Sequence, residues 1–259
     1  MTEVLWGRLR ADQLRDLAER DALVVATIGA TEQHGPHLPT LTDHRLVSEI
    51  AARAARIAAE QVPIVVLPVL PFGLSAHHMP YGGTITLDLP TFHATFRCIL
   101  RSLTAQGFRR LFVLNGHGGN TEPLRVVVGD LSQEFPAATI GCATYWDLAA
   151  DVIGGIATVQ GNVLHACEVE TSMVWALEPD LVDPARLEGI DVPAVPGASA
   201  IAGTNPAAYR WRSFASRTPN GVIGHPSAAS AEKGARFLDA IVERVAEAFA
   251  DETYWSAPT

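Results

Sequence analysis

Five side chains, widely separated along this chain, are of the types that hold metal ions: Glu32, His34, Asp43, His117 and Glu170. Glu32 and His34 are two residues apart, and in an extended chain such residues share a face, so both can reach one cavity. Asp43 stands at the expected start of a helix, where it reads either as an N-cap or as a third ligand. His117 lies within Asn115-Gly116-His117-Gly118-Gly119-Asn120, whose glycines permit close approach of a ligand. The rival reading of that stretch, a phosphate cradle, is weakened because it has neither a Walker lysine nor a complete GxGxxG. On a helix Glu168 and Glu170 project about 200° apart, so one of them should face the site. Met173, Val174 and Leu177 extend an apolar face from Glu170, which favours Glu170 as the inward residue. A buried carboxylate needs a partner, and a divalent cation supplies one. Mixed imidazole and carboxylate ligands suit zinc, manganese or iron, whereas calcium takes mostly oxygen.

The elements that must position these residues follow from hydrophobic periodicity. Apolar runs at 23–28, 62–67, 111–114 and 138–145 read as strands. Helical spacing marks 11–20, 43–61, 88–107, 121–135, 168–177 and 227–249, with Pro90 near the first helical position of the third. Strands alternating with helices predict a layered α/β/α fold around a mostly parallel sheet, whose ligands bind at the strands' carboxyl ends. The chain reads as a single domain over 1–259. Within it, 180–226, rich in Pro, Gly, Ala and Ser, is expected to be an irregular excursion or flap near the active site. Trp146, Trp175, Trp211 and Phe214 read as ordinary packing, with the wall of a pocket or an interface as the alternative.

Composition narrows the partners. A net charge of −9 argues against a nucleic-acid surface, which needs clustered Lys and Arg. No apolar run is long enough for a transmembrane helix, and the N-terminus lacks the pattern of a signal peptide. Cys98, Cys142 and Cys167 are odd in number and far apart, so they read as small buried hydrophobes, not a disulfide framework. A cytoplasmic enzyme acting on a small molecule, with no membrane contact, is the expectation.

Four stretches together resemble the creatininase (creatinine amidohydrolase) family. They are Thr31-Glu32-Gln33-His34-Gly35-Pro36-His37-Leu38-Pro39 with Asp43; Asn115 to Asn120; His165-Ala166-Cys167 with Glu170-Thr171-Ser172; and Gly221-Val222-Ile223-Gly224-His225-Pro226 with Ala231-Glu232-Lys233-Gly234. The resemblance spans roughly residues 6–249. It implies two divalent metal ions per subunit in an enzyme that is usually a homohexamer. By the same resemblance Glu32, Asp43 and His117 hold one ion and His34, Asp43 and Glu170 the other, with Asp43 bridging. A hydroxide shared by the pair would attack an amide-like carbon. His165 resembles the family's catalytic histidine, to position or protonate the leaving group, or else makes a hydrogen bond to a metal ligand. Ser75, His77, His78 and Gly118 match positions around the substrate cavity, the two histidines reading alternatively as surface loop residues. His37, His44, His93 and His225 carry less weight, and His44 and His93 read as structural.

The chain also departs from true creatininases. Gly118 and Gly119 stand where those carry a Tyr-Glu pair, and Gly161, Asn162 and Leu164 where they carry a tryptophan and two acidic residues. The groups that would grip creatinine are thus absent. The reaction expected here is metal-dependent cleavage of the C–N bond in a small cyclic amide, a formamide or a short peptide. Family relatives with the Gly-Gly form act on formamides, peptides or cyclic inositol derivatives. A hydrolase or isomerase of a cyclic polyol, and a non-catalytic metal-dependent binding protein, are the alternatives.

Overall fold

The computed structural model describes residues 2–193 and 211–256. Four strands, β1 (Leu23–Ile28), β2 (Ile64–Val66), β3 (Arg110–Asn115) and β4 (Thr139–Thr144), form one sheet in the order β2-β1-β3-β4. Every pairing is parallel. Because β1 is buried throughout, it carries an apolar run interrupted by Thr27 alone in place of alternation. Its residues still divide by the pleat. Leu23 and Val25 face one core with Phe112 and Leu114, while Val24, Ala26 and Ile28 face the other with Leu111 and Val113.

Helices fill both faces. The first core is closed by α2 (Thr42–Ala58), α5 (Tyr145–Leu148), α6 (Ala150–Ile156), α7 (Glu168–Leu177) and α8 (Ala231–Ala250). The second is closed by α1 (Ala11–Glu19), α3 (Leu89–Ala105) and α4 (Thr121–Glu134). A short α9 (Glu252–Trp255) brings Trp255 against Phe112. The expected α/β/α architecture is therefore the one observed.

Several details differ from expectation. β2 is shorter than 62–67: Pro63 has no N–H to give, although its carbonyl accepts from Leu23 N. The last helix starts at Ala231, where Ser230 accepts from Lys233 N, and a 3-10 turn (Pro226–Ala228) precedes it. The loop 71–83 contains a 3-10 helix, Ala76–Tyr81. Both α5 and α6 went unforeseen, since they are short and follow directly from β4. Cys98 is exposed on α3, not buried, Cys142 is half-buried, and only Cys167 is fully buried. Of the expected excursion 180–226, residues 194–210 lie outside the described residues. The rest holds 3-10 turns at Pro179–Leu181, Pro184–Arg186 and Phe214–Ser216.

The topology itself makes a crevice. From β1 the chain crosses through α2 on one face to β2, then through α3 on the other face to β3. The connections leaving the carboxyl ends of β1 and β3 thus diverge, as happens at the switch point of a doubly wound sheet. Glu32 follows β1 by four residues and His117 follows β3 by two, so both reach this crevice.

Candidate metal centre

Asp43 enters the crevice from the first turn of α2. It is the second helical residue, not the N-cap, so its carboxylate is not committed to the helix end. The first turn of α2 sits against the end of β3 because Gly116 has no side chain; a Cβ there would stand 2.7 Å from Val47 Cβ and 3.0 Å from Asp43 O. The third wall is α7, whose first turn presents Glu170. The turn into α7 holds Ala166 at a φ of 51° while fully buried. That left-handed conformation, costing roughly 1–2 kcal/mol for a non-glycine residue, swings His165 to the cavity side.

Glu32, His34, Asp43, His117 and Glu170 are all buried and converge. His34 Nε2 lies 3.0 Å from Asp43 Oδ1 and 4.0 Å from Glu170 Oε1. His117 Nδ1 lies 3.1 Å from Asp43 Oδ2 and 3.2 Å from Glu32 Oε1. Two sets of three ligand atoms form, Glu32/Asp43/His117 and His34/Asp43/Glu170, each with all atoms within 4.8 Å of one another. A third set, Glu32/His34/His165, meets the same criterion. Both oxygens of Glu32, His34 Nε2, Asp43 Oδ2 and Glu170 Oε2 are buried and make no hydrogen bond among the described residues. Orphaned polar atoms in such number are costly, and a shared cation would satisfy them together.

The outer nitrogens of both imidazoles are held by main-chain carbonyls. His34 Nδ1 is 3.2 Å from Glu32 O, and His117 Nε2 is 3.2 Å from Leu74 O and 3.3 Å from Ser75 Oγ. A carbonyl can only accept, so these nitrogens carry protons, and the inner ones are left as the atoms that would offer lone pairs to a cation. This is the usual support of a metal-binding histidine. Asn115 and Asn120 brace the same loop: His117 N donates to Asn115 Oδ1, Asn115 Nδ2 to His117 O, and Leu74 N to Asn120 Oδ1.

Electrostatics reports the crowding of charge. Burial raises the Glu32 carboxyl above its ordinary range, and burial likewise lifts Glu170 to about 7. Burial works against charge on His34, yet the Asp43, Glu170 and Glu32 carboxylates outweigh it and lift its pKa to about 9. His117 is raised in the same way, chiefly by Glu32 and Asp43 against burial. The donor set fits borderline divalent ions, with nitrogen and oxygen ligands in both groups.

Around the ligands lies a cavity of about 260 Å³ including its open mouth, lined also by His78, Gly118, Gly119, Trp146, Leu164 and His165. Of the residues expected to meet substrate, His78 and Gly118 line it. Ser75 and His77 instead back His117, the His77 ring stacking on the His117 ring at 5.7 Å. His165 Nδ1 is 3.7 Å from Glu32 Oε1. Glu168, the carboxylate read as outward, is buried but turned away. It pairs with Lys233 Nζ at 2.7 Å and accepts from Thr158 N and Oγ1 at 3.0 and 2.8 Å. The remaining histidines take other partners: His37 with Thr171, His44 with Ala30 O, His93 with Asp130 and His225 with Asp191.

Two further contributors stand beside the ligand candidates: Phe214, whose alternative reading from the sequence was a pocket wall, and Gln33, which was not read from the sequence as a site residue. Phe214 packs on His78 and His165, with ring centroids 4.3 and 5.0 Å away, and so walls the histidines. Gln33 is buried, although alternation turns it away from the face shared by Glu32 and His34. Neither has a signal in periodicity; only the glycines at 35 and 221, both at positive φ, mark the turns that enclose Gln33.

Comparison with known proteins shows which families and structures the chain is similar to. The family described as "Creatinine amidohydrolase" (Creatininase) matches residues 7–249. A mycofactocin precursor peptide peptidase of Mycobacterium ulcerans is 32% identical over 85% of this chain and 81% of its own length. The creatinine amidohydrolase of Pseudomonas putida is 30% identical over 96% of this chain and 95% of its own. A solved structure described as "Creatininase Mn" superposes with a TM-score of 0.81 at 28% identity, covering 97% of this chain and 99% of that one.

Proposed function

We propose that this chain, which belongs to the creatinine amidohydrolase (creatininase) family, is a two-metal amidohydrolase whose substrate is a short peptide or a comparably small amide. As a family member it is a hydrolase of carbon–nitrogen bonds. The observation that carries the two-metal reading is the pair of three-ligand groups that share Asp43. Glu32, Asp43 and His117 would hold one ion and His34, Asp43 and Glu170 the other. When bound, such ions supply Lewis acidity toward an amide carbonyl and make water acidic enough to serve as a nucleophile at neutral pH.

The chain's own residues do the rest. His165 turns Nδ1 toward the cavity beside Glu32, where it can hold the proton that the departing nitrogen requires. Trp146 and Leu164 supply apolar wall that limits water around the reacting bond. Gly118 and Gly119 bring main chain to one side of the cavity, which suits an extended chain lying along it. The peptide class is further supported by the mycobacterial relative, itself named a peptide peptidase. A single-domain organisation over 1–259 and assembly as a homo-oligomer, hexameric by resemblance, belong to the same proposal. Among the described residues no helix is long and apolar enough to cross a membrane.

The test is turnover by protein loaded with manganese or zinc on a panel of lactams, formamides and short peptides, with Asp43→Ala alongside. The proposal expects release of a new amine by wild type from at least one peptide or small amide, and loss of that activity in the variant. Equal turnover by the two proteins would reject it.

A further inference from the structure

Gln33 lies between two of the metal-ligand candidates, and main-chain groups that have only one possible role fix both ends of its amide. Gly35 N–H can only donate, and it reaches Oε1 at 2.9 Å. The Gly221 carbonyl can only accept, and it meets Nε2 at 3.3 Å. Turning the amide over would set donor against donor and oxygen against oxygen, so its orientation is determined. Nε2 also lies 2.7 Å from His78 Nδ1, which must therefore accept. A neutral imidazole accepting at Nδ1 carries its proton on Nε2.

His78 Nε2 is buried on the cavity wall, 3.3 Å from Glu32 Oε1, and makes no hydrogen bond among the described residues. His165 is arranged the opposite way. Its Nε2 is 3.0 Å from the Gln33 main-chain carbonyl, so this nitrogen donates and Nδ1 presents a lone pair to the cavity. Gln33 Nε2 approaches His165 Nε2 equally closely, at 3.0 Å, but its two hydrogens go to His78 and Gly221. The two rings lie 4.4 Å apart and face the same carboxylate.

We propose that Gln33 is a positioning residue that holds two adjacent imidazoles in opposite tautomers, so that His78 serves as a catalytic hydrogen-bond donor to the substrate's carbonyl oxygen next to His165 as acceptor. The catalytic half rests on the amidohydrolase reading above; the tautomer half stands without it. No proton leaves His78. Its Nε2–H strengthens its hydrogen bond as negative charge gathers on the carbonyl oxygen, which is how fixed donors favour a transition state over the ground state.

Histidine ring nitrogens, labelled with ¹⁵N in the full chain, report the tautomer directly in metal-free and metal-loaded protein. Wild type is expected to show His78 with a protonated Nε2 and a bare Nδ1, assigned by loss of its signals in His78→Gln. Gln33→Glu replaces the donor with an acceptor and should move the His78 proton to Nδ1. Metal content should hold while kcat falls by about 10²–10³-fold, the usual loss for one such donor, and KM changes little. His78→Gln, which keeps an N–H, should retain more kcat than His78→Leu. Protonation of Nδ1 in wild type would overturn the proposal. So would equal kcat in His78→Gln and His78→Leu, or a fall of kcat in Gln33→Glu with the His78 tautomer unmoved. If the tautomers are as expected and wild type cleaves no C–N bond on the panel, the amidohydrolase reading fails and the assignment of Gln33 survives.

Discussion

His34 Nε2 stands 3.0 Å from Asp43 Oδ1 and yet makes no hydrogen bond to it. The two atoms are near because both point at the same space. That relationship recurs on the other oxygen of Asp43, which His117 Nδ1 approaches at 3.1 Å without hydrogen bonding. One carboxylate thus has an imidazole on each side, each imidazole held from behind by a backbone carbonyl. A site built for ion pairing alone would align donor with acceptor, because leaving buried polar atoms unpaired is expensive.

The two neighbouring glutamates of α7 should separate cleanly in experiment. Lys233→Met strands the buried Glu168 carboxylate, and breaking a buried pair in this way costs about 3 kcal/mol or more. For a chain of this length that lowers Tm by roughly 6–12 °C. Metal content of the folded protein should be unchanged. Glu170→Gln should do the reverse, binding fewer ions without loss of metal-free stability. Calorimetry with metal analysis checks both, and loss of ions from Lys233→Met at unchanged Tm would contradict the division of roles.

Gly119→Ala should damage the metal centre from behind. The new methyl group would collide with His117 Nε2, with Leu74 O and with the His77 ring. It would break the bond from His117 to Leu74 O that fixes the ring's tautomer. Supports of this kind cost 10–100-fold in metal affinity when lost. Titration with zinc against a competing chelator measures the change, and wild-type affinity in the variant would contradict the assigned support.

Acid should weaken the protein partly through His37. Burial, helped by the charge of His34, lowers its pKa to about 4, while Nε2 shares a hydrogen bond with Thr171 Oγ1 at 2.8 Å. The unfolded chain binds this proton near pH 6.5 and the native state only near 4, so stability falls as pH drops through that window. The full loss attributable to His37 is about 3 kcal/mol, from 1.36 kcal/mol per pH unit. Urea unfolding at several pH values should give a shallower acid slope for His37→Gln than for wild type. Parallel slopes would assign the acid sensitivity elsewhere.

Much of this centre was legible before the fold was seen, for identifiable reasons. Apolar runs located β1 and β3, and helical spacing located α2 and α7, because those elements are buried on one face or on both. The candidate ligands then lie at element ends, where polar residues break the pattern visibly: Glu32 after β1, His117 after β3, and Glu170 in the first turn of α7. The choice of Glu170 over Glu168 followed from helical geometry, and Lys233 explains where the second carboxylate goes. What stayed hidden depends on contacts distant in sequence. Gln33 acquires its role from Gly221, nearly two hundred residues away, and Phe214, for which a pocket wall was only the alternative reading, reaches the histidines from an aperiodic segment. Cys98 was misread because the general burial of cysteine was weighed above helix geometry, which sets it about 200° from Phe96, opposite the apolar face.

The most direct test of the shared carboxylate is metal stoichiometry. Wild type and Asp43→Ala would be loaded with manganese or zinc, desalted and analysed for ions per chain. The account predicts two ions per wild-type chain and a loss of both sites' affinity in the variant, since each group of ligands uses Asp43. A wild-type chain that saturates below two ions, or an Asp43→Ala protein that retains the wild-type number, would contradict it.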